Sequence, residues 1–119
     1  MMRLLLVIAA ATVLSGCAAP RLYDWDDYDA RLYRYYKQPN SAEEFRVSME
    51  THFKVLEAKG LRPAPGLYAE LGTLYLEHGD RLSAAVYYRK ERDAWPESRY
   101  LMDTMLASLE RMKRGDDAK

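Results

Sequence analysis

One glycine constrains this chain more than any other feature. Gly72 stands inside a run of strong helical periodicity. Tyr68, Leu71 and Tyr75 recur around it at the spacing of one helix face. After the break at His78-Gly79, Ala84, Tyr88 and Trp95 continue a second helical run, which Pro96 stops. A glycine in the middle of a helix costs about 1 kcal/mol relative to alanine. It is sustained where a neighbouring helix must come close, and Ala84 is the small residue expected opposite. The tyrosines and Leu71 then fill the space around that contact. Residues 68–96 are therefore expected to form a tight helical hairpin, with Asp80 as the N-cap of its second helix.

Helices are expected on both sides of it. Trp25, Tyr28, Leu32 and Tyr36 have helical spacing, with acidic residues at the start and basic ones toward the end, the order a helix dipole favours. Pro39-Asn40 stops that helix. Ser41 and Glu44 then have the spacing of a capping box. Phe45, Met49, His52 and Leu56 predict one face of a second helix, ending near Gly60. A last helix starts near Glu97 or Ser98 and turns Met102, Met105, Leu106 and Leu109 inward. Gly115 is placed to cap it, leaving 116–119 as a polar tail. No segment alternates as a half-buried strand does. The expected fold is all-α, with about five helices over residues 22–115.

Upstream of this lies Leu14-Ser15-Gly16-Cys17, the pattern of a lipobox. Arg3 supplies a positive n-region and Leu4 to Val13 an apolar h-region. That run is shorter than the roughly 20 residues a spanning helix needs. Residues 1–16 are expected to be a cleaved signal peptide and Cys17, the only cysteine, the lipidated residue. Residues 17–21 form a short tether. Ala18 stands where an Asp commonly retains lipoproteins at the inner membrane. The expected location is therefore the outer membrane, on its periplasmic side.

Without residues 1–16 the chain has 17 basic and 18 acidic side chains, a net charge of −1. That gives nucleic-acid binding no electrostatic support. No residue pattern calls for a cofactor, a metal or a small-molecule substrate. His52 and His78 are expected as core or capping residues, and Asp26-Asp27 as carboxylates at a helix start. The methionines of the last helix read as core. Interaction surfaces are better candidates. Tyr33, Tyr35 and Tyr36 cannot all face one core, so at least one is expected exposed, at the membrane–water boundary or at a partner surface, with Tyr33 and Tyr35 as the candidates. Thr73 and Leu76 lie on the second side of their helix and are expected to line a groove. Leu76→Glu is then expected to leave stability within about 0.5 kcal/mol of wild type.

The spacing from Tyr68 through Leu71-Gly72, Tyr75, Ala84 and Tyr88 to Pro96 resembles one tetratricopeptide (TPR) repeat. Glu91 stands where that repeat has a small residue. Its carboxylate is expected to bend outward to a nearby Arg or Lys. The whole chain after the lipobox resembles a group of bacterial lipoproteins known as domain of unknown function 4810. Leu22-Tyr23-Asp24-Trp25, Tyr28, Leu32-Tyr33, Tyr36 and residues 65–72 carry that resemblance, followed by Lys90-Glu91 and Trp95-Pro96-Glu97-Ser98. The resemblance implies no catalytic residues. It implies an accessory to a lipoprotein similar to the curli secretion pore. The expected function is a non-enzymatic, TPR-like adaptor anchored by lipid. A pilotin-like chaperone, a purely structural subunit and an envelope enzyme or its activator are the alternatives.

Overall fold

The computed structural model describes Met1 and residues 22–118. The expected signal peptide, the expected lipidation site Cys17 and the expected tether lie outside the described residues. Helix α1 spans Tyr28–Lys37, α2 Ala42–Ala58, α3 Leu67–Glu77, α4 Arg81–Ala94 and α5 Arg99–Asp117. Short 3₁₀ turns at Pro39–Ser41 and Pro96–Ser98 precede α2 and α5. No strand occurs among the described residues. The fold is all-α, as the sequence predicts.

Hairpin α3–α4 is the centre, with the most extensive helix–helix contact. Three residues join its helices, which forces them back along one another. Asp80 caps α4 through Ser83: the backbone N–H donates to Oδ1 at 3.0 Å and the hydroxyl to Oδ2 at 2.7 Å. The ends of α2 and α3 share one device. Gly60 and Gly79 take positive φ, of 70° and 83°. The next N–H in each case reaches back, Leu61 to Leu56 O and Asp80 to Tyr75 O, both at 2.9 Å. This is a Schellman ending, which glycine reaches without a Cβ penalty.

The core is in two parts that share α3. Phe45, Met49 and Phe53 of α2 meet Leu67, Tyr68, Leu71 and Leu74 of α3. On the other side Ala84 and Tyr88 of α4 meet Met102 and Leu109 of α5.

Four local expectations are corrected. Trp25 precedes α1, and the inward stripe is Tyr28, Leu32 and Tyr35, while Tyr36 is 74% exposed. On α2, Phe53 turns into the core beside Phe45 and Met49, whereas His52 is only half-buried. The Ser41–Glu44 capping box does not form. Ser41 belongs to the 3₁₀ turn and donates its hydroxyl back to Gln38 O at 2.7 Å, and Glu44 pairs with Arg34 instead. Helix α5 runs through Gly115 to Asp117, where Asp116 pairs with Arg81 at the start of α4.

Candidate functional site

Gly72 makes the contact its position predicts. A Cβ built there would lie 2.8 and 2.9 Å from ring carbons of Tyr88 and 3.2 Å from Ala84 O. The close neighbour is therefore the Tyr88 ring, seated over the glycine, more than the Ala84 methyl. Tyr88 is fully buried, and its hydroxyl meets Thr73 Oγ1 at 3.1 Å.

Glu91 is also fully buried, so it does not bend out to an Arg or Lys. Its Oε1 accepts from the Gly66 N–H at 2.8 Å and from Ser98 Oγ at 2.9 Å. Those donors sit at the starts of α3 and α5. One carboxylate on α4 thus holds two helix N-termini, where negative charge is favoured. Its Oε2 has no partner among the protein groups.

The aromatic side of α3 is edged by tyrosine–carboxylate pairs. Tyr28 donates to Glu70, Tyr75 to Glu50, and Tyr68 to Glu57 at 2.7 Å. Burial, followed by the bonded carboxylate, pushes the Tyr28 and Tyr68 hydroxyls well above their ordinary range. Tyr87, stacked on Tyr75 at 5.5 Å, is pushed up to about 12, mainly by burial. The carboxylates respond in opposite senses. Lys90, bonded to Glu57 at 2.8 Å, is the main cause that lowers Glu57. Burial raises Glu70 against the opposing hydrogen bond from Tyr28.

A polar hollow of about 470 Å³ lies between the approach to α1 and the flank of α2. Asp24, Asp26, Arg31, Ser48, Thr51 and His52 line it with Val55. Its groups are engaged within the fold. Asp26 sits at φ 46°, a conformation an aspartate tolerates. Its N–H donates to Asp24 Oδ1 at 3.0 Å, and its carboxylate pairs with Arg31. Ser48 and Thr51 donate to Phe45 O and Val47 O of their own helix. His52 Nε2 donates to Asp24 O at 3.0 Å and so pins the N-terminal segment onto α2. His78 Nδ1 donates to Leu74 O at 2.7 Å, in the capping role expected of it. Among the described residues no cluster of three or more His, Cys, Asp or Glu could hold a metal ion.

The four candidate partner residues do not share one surface. Tyr33 is 65% exposed, with Lys37 Nζ 5.6 Å from its ring centroid. Tyr35 faces inward and stacks on Phe45 at 5.4 Å. Thr73 uses its hydroxyl on Ala69 O and Tyr88. Leu76 is half-buried and packs against the α4–α5 part of the core, so it does not line an open groove. The sequence reading missed Tyr36, and on α4 it missed Leu82 and Val86. Leu82 is 83% exposed, and both lie on a different side of the helix from the Ala84–Tyr88–Glu91 stripe. A helical projection shows this from sequence alone.

A family model described as "Domain of unknown function (DUF4810)" matches residues 22–105. That span runs from the segment before α1 into α5. Comparisons with curated proteins and with solved structures return no match.

Proposed function

The chain belongs to the family described as domain of unknown function 4810, and from that premise we propose that it is a lipid-anchored, non-enzymatic accessory lipoprotein of the outer membrane. In this reading its domain is a TPR-like adaptor for an envelope or export complex resembling the curli secretion pore. The observation that carries the proposal is Leu14-Ser15-Gly16-Cys17, placed five residues before Leu22, where the family match begins. Among the described residues no helix is long and apolar enough to cross a membrane. Attachment is assigned to acyl chains on Cys17, of which stable anchoring needs more than one. The seat of Tyr88 over Gly72 supports the TPR-like reading, because close helix approach is what that repeat's glycine serves.

Capture of the acylated protein from its native membrane tests the adaptor. A stable, stoichiometric pore-like lipoprotein supports it. A partner held only transiently favours a pilotin-like chaperone, and no partner at all overturns both. Cys17→Ser tests the anchor: the variant is expected to leave the membrane fraction with an unchanged circular dichroism spectrum.

A further inference from the structure

Leu22 and Leu61 are apolar, exposed and brought to one place by the fold. We propose that the end of the domain formed by Leu22 and the α2–α3 turn rests on the phospholipid surface. Leu22 and Leu61 enter the boundary between headgroups and acyl chains, and Lys59 and Arg62 meet the lipid phosphates. The inference rests on the acylation of Cys17 proposed above and adds to it an orientation.

Chain length limits where the lipid can be. Five residue steps separate Cys17 from Leu22, and an extended chain covers at most about 18 Å in that number. Leu22 is therefore held close to the bilayer, and whatever packs beside Leu22 is held there too. The tether also enters the domain at a fixed point. The Tyr23 ring sits edge-on to Trp95 with centroids 5.6 Å apart, which ties the residue after Leu22 to the end of α4.

Leu22, Tyr23 and Asp24 line one hollow of about 220 Å³ with Leu56, Leu61 and Arg62. Leu22 is 82% and Leu61 55% exposed, whereas Leu56 at the floor is buried. This exposure is unexpected for Leu61. In a Schellman ending the residue after the glycine commonly covers the residue it bonds to. Here Leu61 bonds to Leu56 O, yet it leaves its own side chain largely in solvent. A bilayer would cover it, as it covers the apolar side of interfacial segments.

The charges suit a phosphate surface. Lys59 is exposed in the same turn. The Arg62 guanidinium lies 3.8 Å from the Trp95 ring centroid and also donates to Ala94 O, so it is fixed at the rim. Of the nearby carboxylates, Glu57 is paired with Lys90 at 2.8 Å, and Asp24 accepts the Asp26 N–H. Lys59 has the long stem with which a basic side chain on an apolar surface reaches headgroups, and exposed Arg62 holds its charge at the rim.

The test uses the full acylated protein. With the Cys17 thiol consumed by lipid, Leu61→Cys and Leu82→Cys each supply a single thiol for an environment-sensitive fluorophore. Leu82 is the control. It lies twelve residues before Ala94 along α4, about 18 Å from the end that Arg62 touches. Each labelled variant is reconstituted into vesicles of phosphatidylethanolamine and phosphatidylglycerol with and without nitroxide-labelled lipid. The expected result is a blue shift and nitroxide quenching at position 61, with neither at position 82. Vesicle flotation without quenching at 61, or with equal quenching at 82, overturns the orientation and leaves the anchor standing. Failure of both variants to float with the vesicles overturns the anchor, and the orientation with it.

Discussion

Toward α2, helix α3 presents Tyr68 to the ring of Phe53, with Leu71 and Leu74 in the same part of the core, and spends the Tyr68 and Tyr75 hydroxyls on carboxylates at the edge. Toward α4 it presents a glycine to the face of Tyr88. The first contact rests on large side chains and is polar at its rim. The second is extensive and close, set by backbone approach, with the Tyr88 hydroxyl meeting Thr73. Interiors are packed as densely as organic crystals. A site with no spare volume should therefore fail by overpacking, and a site edged with titratable groups should respond to pH.

Gly72→Leu should break the comparison most. Overpacking a core typically costs about 1–3 kcal/mol, and an isobutyl group meets a ring that has nowhere to move. The domain is expected to unfold or to lose most of its thermal midpoint. Gly72→Ala should cost less, and the same change in a Tyr88→Leu background less again, because the ring it meets is gone. Gly115→Ala is the matched control: it is helical with nothing within 4 Å, so it should stabilise by up to about 1 kcal/mol. If the two glycines behave alike in thermal melts, close approach is not what Gly72 provides.

Glu91→Leu comes next. It leaves the Gly66 N–H and the half-buried Ser98 hydroxyl without their acceptor, and each hydrogen bond lost costs about 0.5–1.5 kcal/mol. Glu91→Gln keeps an oxygen for both donors and should be the milder of the two. Chemical denaturation of the pair checks the order. An equal loss from both would mean that volume, not the shared acceptor, is what matters.

Leu76→Glu sharpens the picture of the apolar side. Because Leu76 packs against the α4–α5 core, the charge is expected to cost about 1–3 kcal/mol, not the small change of a surface site. A melting curve superimposable on wild type would reopen that side of α3 as a groove.

Smaller effects belong to the aromatic side and depend on pH. The folded protein holds Glu57 below its ordinary value of 4.5, chiefly through Lys90. Its contribution is present above that value and is lost as pH falls through the lowered folded value. Glu70 is raised by burial. Its contribution is fully present below 4.5 and is lost as pH rises through the raised folded value. Glu57→Gln should therefore weaken the domain at neutral pH, by under about 1 kcal/mol because the pair is partly exposed. Glu70→Gln should be tolerated best at neutral pH, where the native carboxylate is disfavoured. Stability measured from pH 3 to 8 should show the two variants departing from wild type in opposite directions. Parallel curves would remove the distinction drawn between these carboxylates.

The smallest effect is expected at Tyr36→Ser, within about 0.5 kcal/mol of wild type. Tyr35→Ser, which removes the ring stacked on Phe45, should cost clearly more. A reversed order in urea titrations would restore Tyr36 to the core.

By itself the sequence determined the all-α class, the breaks between helices, the Asp80 cap and the close contact at Gly72. These follow from periodicity, from residues with special backbone or capping chemistry, and from the rarity of glycine in mid-helix. It also carried the lipobox-like pattern on which the proposed anchor rests, a local signal that needs no fold. Only the tertiary structure decided which neighbour on a helix turns inward. Tyr35 and Tyr36 are adjacent, as are His52 and Phe53. Periodicity has a tolerance of about one residue, and the ring positions on the facing helix remove it: Phe45 selects Tyr35, and Tyr68, 4.9 Å from Phe53, selects Phe53. Glu91 is the clearest case. Its residue type argues for solvent, and nothing local to it tells of two helix N-termini converging from 25 residues before and seven after. Burial of a carboxylate becomes favourable only when those donors are already in place, and their arrival is a property of the assembled helices.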